Sequence, residues 1–190
     1  MTNKTLIWCH GGCFSSGKPS YDYELRTFLE HDGWTVNSVD FSLDSWDQAL
    51  QDVQKVVDEI STTYIVLGGI SSGAMIAHEI ANRNKLAAAL LCPVTKPATR
   101  HSNLEKSLQT KQLCFFKTFE KMQEAEKQLE LPNGPRFVLF GSLDNRAPIK
   151  DYQDWLTMKR IYFIECIGGH ELCKDPPKIQ FLLGLNGLLN

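Results

Sequence analysis

At 190 residues, with 43% hydrophobic and 22% charged positions, the chain has the size and composition of one globular domain. Its net charge of −2, with acids and bases interspersed, excludes the basic stripe of a nucleic-acid binder and the polybasic cluster of a protein held on anionic lipid. The opening Met1-Thr2-Asn3-Lys4-Thr5 lacks the parts of a signal peptide, and no apolar stretch approaches the roughly 20 residues that span a bilayer. A cytoplasmic location is expected.

Short apolar runs alternate with amphipathic stretches along the chain, the pattern of βα units around a parallel sheet. The first predicted strand, Thr5–Cys9, runs into His10-Gly11-Gly12-Cys13, where glycines would expose backbone N–H groups. The stretch from Gly12 to Lys18 also has the spacing G-x-x-x-x-G-K. A phosphate-binding loop needs Ser or Thr after that lysine to hold Mg²⁺, and Pro19 stands there instead. A helix over Tyr23–Glu30, a strand over Thr35–Asp40 and a helix over Trp46–Ile60 follow. In the last of these Leu50, Val53, Val56, Val57 and Ile60 share one face.

The most informative segment comes next. The strand Tyr64–Leu67 leads into Gly69-Ile70-Ser71-Ser72-Gly73, and a helix-forming stretch runs from Ala74 to Arg83. This is G-x-S-x-G between a strand and a helix, a turn so tight that a Cβ at either glycine would collide and the serine is pushed into a strained conformation. Gly73, Ala77 and Ala81 form a small-residue seam that lets the helix approach the sheet. A fourth strand, Ala87–Cys92, precedes an insert over 94–135 that is bounded by prolines at both ends. Inside it Phe115, Phe119, Met122 and Leu129 recur at helical spacing, either as a helix packed on the sheet edge or as a small cap over a site. The strands Phe137–Phe140 and Ile161–Cys166 complete six. Phe181–Leu185 is expected as the inner face of a terminal helix.

A serine hydroxyl needs a base to take its proton, and the base needs an orienting group. Parallel sheets present reactive groups at the strand C-termini. His170 follows the last strand through Ile167-Gly168-Gly169 and is the histidine there that can reach Ser71. His31 and His101 lie elsewhere, His78 points away on the helix after Ser71, and His10 shapes its own loop. Asp144 follows the fifth strand through Gly141-Ser142-Leu143 and is the candidate orienter. Its bland role would be an Asx turn or helix cap, and Asp40 is the other loop acid in view. The N–H of Ser72, with that of Gly12 or Cys13, could hold an oxyanion. None of the six cysteines forms C-x-x-C, so no metal and no cofactor is expected, and most are expected as buried free thiols.

The glycine loop after the first strand, the G-x-S-x-G elbow, the late Asp and the final His resemble the α/β-hydrolase superfamily, in particular its small single-domain serine esterases. The resemblance covers the whole chain, 1–190, and the order Ser, Asp, His is the family's own. It implies Ser71 as nucleophile, His170 as base, Asp144 as orienter and Gly12, Cys13 and Ser72 as oxyanion candidates, in a three-layer α/β/α fold with a mostly parallel sheet of about six strands. It also implies a small acyl ester, or a thioester, as substrate. The opening hairpin of larger members is missing, and Cys13 stands where many esterases have a third glycine. A catalytically inactive binding module of the same fold is the reading from a different class.

Overall fold

The computed structural model describes residues 4–11, 22–42, 44–129, 131–173 and 175–189. Six strands, β1 (Lys4–Cys9), β2 (Trp34–Val39), β3 (Tyr64–Ile70), β4 (Ala87–Leu91), β5 (Arg136–Gly141) and β6 (Ile161–Cys166), form one sheet in the order β2-β1-β3-β4-β5-β6. Every pairing is parallel. Parallel sheets are covered on both faces, so their central strands read as unbroken apolar runs. β1, β3, β4 and β5 do so here, each buried along most of its length.

Helices α1 (Asp22–His31), α2 (Trp46–Glu59), α3 (Ser72–Asn84), α4 (Pro97–His101), α5 (Lys106–Phe116), α6 (Phe119–Gln128) and α7 (Lys178–Gly187) fill the two outer layers. On one face Leu25 and Leu29 of α1 join Phe181 and Leu185 of α7 over Leu6, Trp8, Val66 and Phe137. The other face carries α2, α3 and the insert, with Trp46, Leu50 and Val53 packed with Phe115, Phe116 and Met122. α2 starts where Ser45 caps it, its side chain accepting from the Gln48 N–H at 3.4 Å. Its buried residues Trp46, Ala49, Leu50, Val53 and Val57 follow the helical period. Among the described residues no helix is long and apolar enough to cross a membrane.

Three expectations need adjustment. β3 runs on past Leu67 through Gly68 and Gly69 to Ile70. Gly68 pairs with Trp8, and a Cβ on it would lie 2.7 Å from Leu6 Cδ1 and 2.8 Å from the Trp8 ring, so the glycine makes room for neighbours rather than ending the strand. The insert is three short helices. The helical repeat through Phe115, Phe119 and Met122 is broken at Lys117, where φ is 69°, and Thr118 caps a new helix by accepting from the Lys121 N–H at 3.2 Å. In α7 Phe181 and Leu185 are buried but Leu183 is 65% exposed, because one helical face cannot take five consecutive residues.

The order of the strands reverses at β1. The chain moves outward from β1 to β2, then returns to place β3 on the other side of β1. Ligands of open parallel sheets bind outside the strand C-termini at such a reversal. His10 and Gly11, directly after β1, meet the turn after β3 there.

Candidate active site

The β3–α3 turn is as tight as its glycines imply. Ser71 sits at φ 55° and ψ −118°, a strained conformation for a side-chain-bearing residue, with its N–H bonded to Leu91 O at 2.9 Å. A Cβ on Gly69 would lie 2.5 Å from Gly73 O, and one on Gly73 would lie 2.2 Å from His10 O and 2.3 Å from Cys9 O. Real Cβ atoms do not approach so closely, so both elbow glycines are sterically required. Gly11 is pressed against the same turn, with a hypothetical Cβ 3.0 Å from Ile70 Cγ2. The serine therefore stands at the N-terminus of a 13-residue helix, where the positive end of the dipole favours developing negative charge.

Two further loops converge on it. Ser71 Oγ donates to His170 Nε2 at 2.9 Å, and His170 Nδ1 donates to Asp144 Oδ2 at 2.8 Å. An ionised carboxylate only accepts, so the proton belongs on Nδ1 and Nε2 is left with a lone pair toward the serine. The loops after β5 and β6 are stitched together, Ser142 N–H to Cys166 O at 2.9 Å and Leu143 N–H to Gly168 O at 2.8 Å. The Asp144 side chain is fully buried, whereas His170 keeps 16% exposure.

Asp144 makes the contacts that both of its expected roles require. Oδ1 accepts from the N–H groups of Arg146 and Ala147, both at 2.8 Å, which makes it the anchor of its own turn, while Oδ2 faces His170. Burial alone would push this carboxyl up. The hydrogen bond and charge of His170 and the two backbone N–H groups outweigh it and hold the carboxyl below its ordinary value. Asp40 is exposed at the end of β2 and is not the residue facing His170. His10 is buried, its Nδ1 donating to Gly11 O at 3.0 Å while its ring stacks on Phe41 at 4.4 Å. His78 stacks on Trp155 on the α3 side of the sheet, close to the buried Arg136. Ser72 opens α3 directly after Ser71 and is buried. Gly12 and Cys13 lie outside the described residues.

Sequence reasoning passed over two neighbours of this site. Cys92, buried at the end of β4 with φ 46°, brings its Sγ within 4.8 Å of ligand atoms of both Asp144 and His170. It is the one such trio of possible metal ligands among the described residues. The Asp144 and His170 atoms are hydrogen-bonded to each other at 2.8 Å, closer than two ligands of one tetrahedral ion stand. The second neighbour is Arg100 of α4, whose Nη2 donates to the carbonyl of Asn145 at 3.1 Å. Its contact partners lie far off in sequence, so no local signal marks it.

The fold is that of the α/β-hydrolases, and the Ser71–His170–Asp144 chain has the hydrogen-bond geometry of a Ser-His-Asp triad. Solved structures bear on the fold. Carboxyl esterase 2 of the mycorrhizal fungus Tuber melanosporum superposes with a TM-score of 0.73 at 15% identity, over 100% of this chain and 80% of that one. Est1E from Butyrivibrio proteoclasticus superposes with a TM-score of 0.76 at 16% identity, over 99% and 88%. Alpha/beta hydrolase domain-containing protein 10 from mouse gives 0.70 at 14% identity, over 98% and 89%. No curated protein matches by sequence. The chain belongs to the family described as uncharacterised protein family UPF0227, whose sequence pattern matches residues 5–151.

Proposed function

We propose that the protein is a serine hydrolase that cleaves a small carboxylic ester through an acyl-enzyme intermediate. The observation that carries this reading is the unbroken hydrogen-bond chain from Ser71 Oγ through His170 to the buried Asp144. Ser71 attacks the acyl carbonyl while His170 Nε2 takes its proton. Asp144 holds the ring in the tautomer that leaves Nε2 as the acceptor, and its negative charge stabilises the imidazolium that forms. The N–H of Ser72, together with that of Gly12 or Cys13, receives the oxyanion. The protonated His170 then gives its proton to the departing alcohol. Water repeats the sequence on the acyl-enzyme and releases the acid.

The esterases among the structural relatives, and the structure of Est1E with ferulic acid bound, favour a carboxylic ester over other acyl donors. We take residues 1–190 as one domain, with 94–135 as its helical insert. We also propose a cytoplasmic setting, in which a buried thiol such as that of Cys92 would stay reduced.

Hydrolysis of a series of p-nitrophenyl esters by the wild type, Ser71→Ala and His170→Ala proteins tests the reading. Each single variant is expected to lose on the order of 10⁴–10⁶-fold in kcat, and the double variant little more, because the two residues act as a unit. Near-wild-type rates in both single variants would remove the assignment.

A further inference from the structure

The helical insert reaches the acid side of the site through one buried cation. α4 is only 5 residues long, yet it is firmly held. Glu126 of α6 accepts from the N–H groups of Ala98 at 2.7 Å and Thr99 at 2.9 Å, and from the Thr99 hydroxyl. Gln112 of α5 donates to Pro97 O at 3.2 Å. Arg100 projects from this platform with 11% of its side chain exposed, and its guanidinium divides between two partners. Nη2 donates to the backbone oxygen of Asn145, the residue after Asp144, and Nε pairs with the buried carboxylate of Asp151 at 3.3 Å. Asp151 is itself tied back to the insert, since its carbonyl accepts from the Thr95 hydroxyl at 3.3 Å.

The 144–147 turn is thereby gripped from two sides. From within, Asp144 Oδ1 accepts from two of its backbone N–H groups. From the insert, Arg100 holds the carbonyl of its second residue, Asn145. The guanidinium is also near enough for the charge of Asp144 to act on it. A buried Arg is costly to desolvate, and burial pushes its pKa down. Clamping the insert to the domain does not require that cost, because apolar residues of the same volume would serve as well or better. The planar fork instead lets one side chain hold the Asn145 carbonyl through Nη2 and face the Asp151 carboxylate through Nε at once, which no apolar side chain can do.

We propose that Arg100 is a positioning residue of the active site. From the insert, it holds the Asn145 carbonyl and so sets the direction in which Asp144 meets His170. This rests on the hydrolase reading above for its consequence in turnover, but not for its consequence in structure. The insert is then part of the catalytic apparatus.

Two variants test it. Arg100→Lys keeps a cation but loses the fork. Arg100→Met with Asp151→Leu removes both charges, so that no lone buried charge remains to unfold the protein. In each, kcat and KM on an ester are measured beside the downfield proton resonance of His170 Nδ1–H, which reports its hydrogen bond to Asp144. The double variant is expected to lose about 10²-fold in kcat with KM little changed, and the resonance should shift or vanish through exchange. Arg100→Lys should fall between. A clamp without a positioning role would change melting temperature alone. Both variants within about threefold of wild type in kcat, with the resonance in place, would overturn the proposal. If the double variant does not fold, Arg100→Lys decides by the same two readings. A wild type with no turnover would contradict the hydrolase reading, whereas the resonance would still judge Arg100.

Discussion

Replacing Asp144 with asparagine sets two parts of its environment against each other. Oδ1 accepts from the N–H groups of Arg146 and Ala147, and Oδ2 accepts from His170 Nδ1. An asparagine has one oxygen for these two jobs. If the oxygen keeps the turn, its NH₂ faces His170 and can only donate. The imidazole must then move its proton to Nε2, where it can no longer take one from Ser71. A wrong tautomer in this arrangement costs about 10⁴-fold in kcat, or about 5.4 kcal/mol at 1.36 kcal/mol per tenfold. If the amide flips to serve His170, its NH₂ meets two backbone donors in a buried turn. Leaving those unsatisfied costs about 1–3 kcal/mol each, which exceeds what local stability can absorb without a fall in melting temperature. The first arrangement leaves the fold as it is and is the one expected. Steady-state kinetics on an activated ester, beside a thermal melt, separate the two. A variant with kcat within about tenfold of wild type and an unchanged melt would refute the reasoning, since neither arrangement permits both.

Other perturbations follow from the same geometry. The Asp144 carboxyl is held below its ordinary value, so its ion contributes stability above the unfolded group's pKa, near about 4, and loses it as pH falls through the lower folded value. The wild type should accordingly lose stability relative to Asp144→Asn as pH falls below about 4, whatever the difference at pH 7, and a difference constant from about pH 7 to 3 would contradict the buried ion. Gly73→Ala puts a methyl 2.2 Å from a backbone oxygen, with no flexible side chain to yield; it should cost more than the about 1–3 kcal/mol of ordinary overpacking, and a melt equal to wild type would place the elbow elsewhere. Phe115 is 1% exposed against Trp46 and Phe116, so Phe115→Ala should cost about 3–5 kcal/mol by denaturant titration. Phe119, 37% exposed, should cost less than about 1 kcal/mol, and equal losses would mean that the insert packs differently.

Most of the site was legible because its parts are local. A glycine-flanked serine between an apolar run and a helix can be read from a short stretch of chain, and a strand end followed by Asp144 or His170 needs only the βα rhythm to place it. The strand centres were legible for the same reason, since burial on both faces leaves unbroken apolar runs. What sequence could not convey depends on partners from elsewhere. Gly68 looks like a strand terminator until Trp8 and Leu6 are set beside it. The break at Lys117 was hidden because Phe115, Phe119 and Met122 keep a helical period across it, although Thr118 carries the signature of a cap. Arg100 and Cys92 lie on segments that read as insert and strand. Only the sheet order, which sets β4 beside β5, brings them to Asp144.

The central claim is that Ser71 is an activated nucleophile, and intact-mass analysis after fluorophosphonate treatment tests it most directly. One adduct is expected on the wild type, none on Ser71→Ala and slow labelling of His170→Ala. A folded wild type that takes no adduct, or a Ser71→Ala protein that labels as readily, would contradict it.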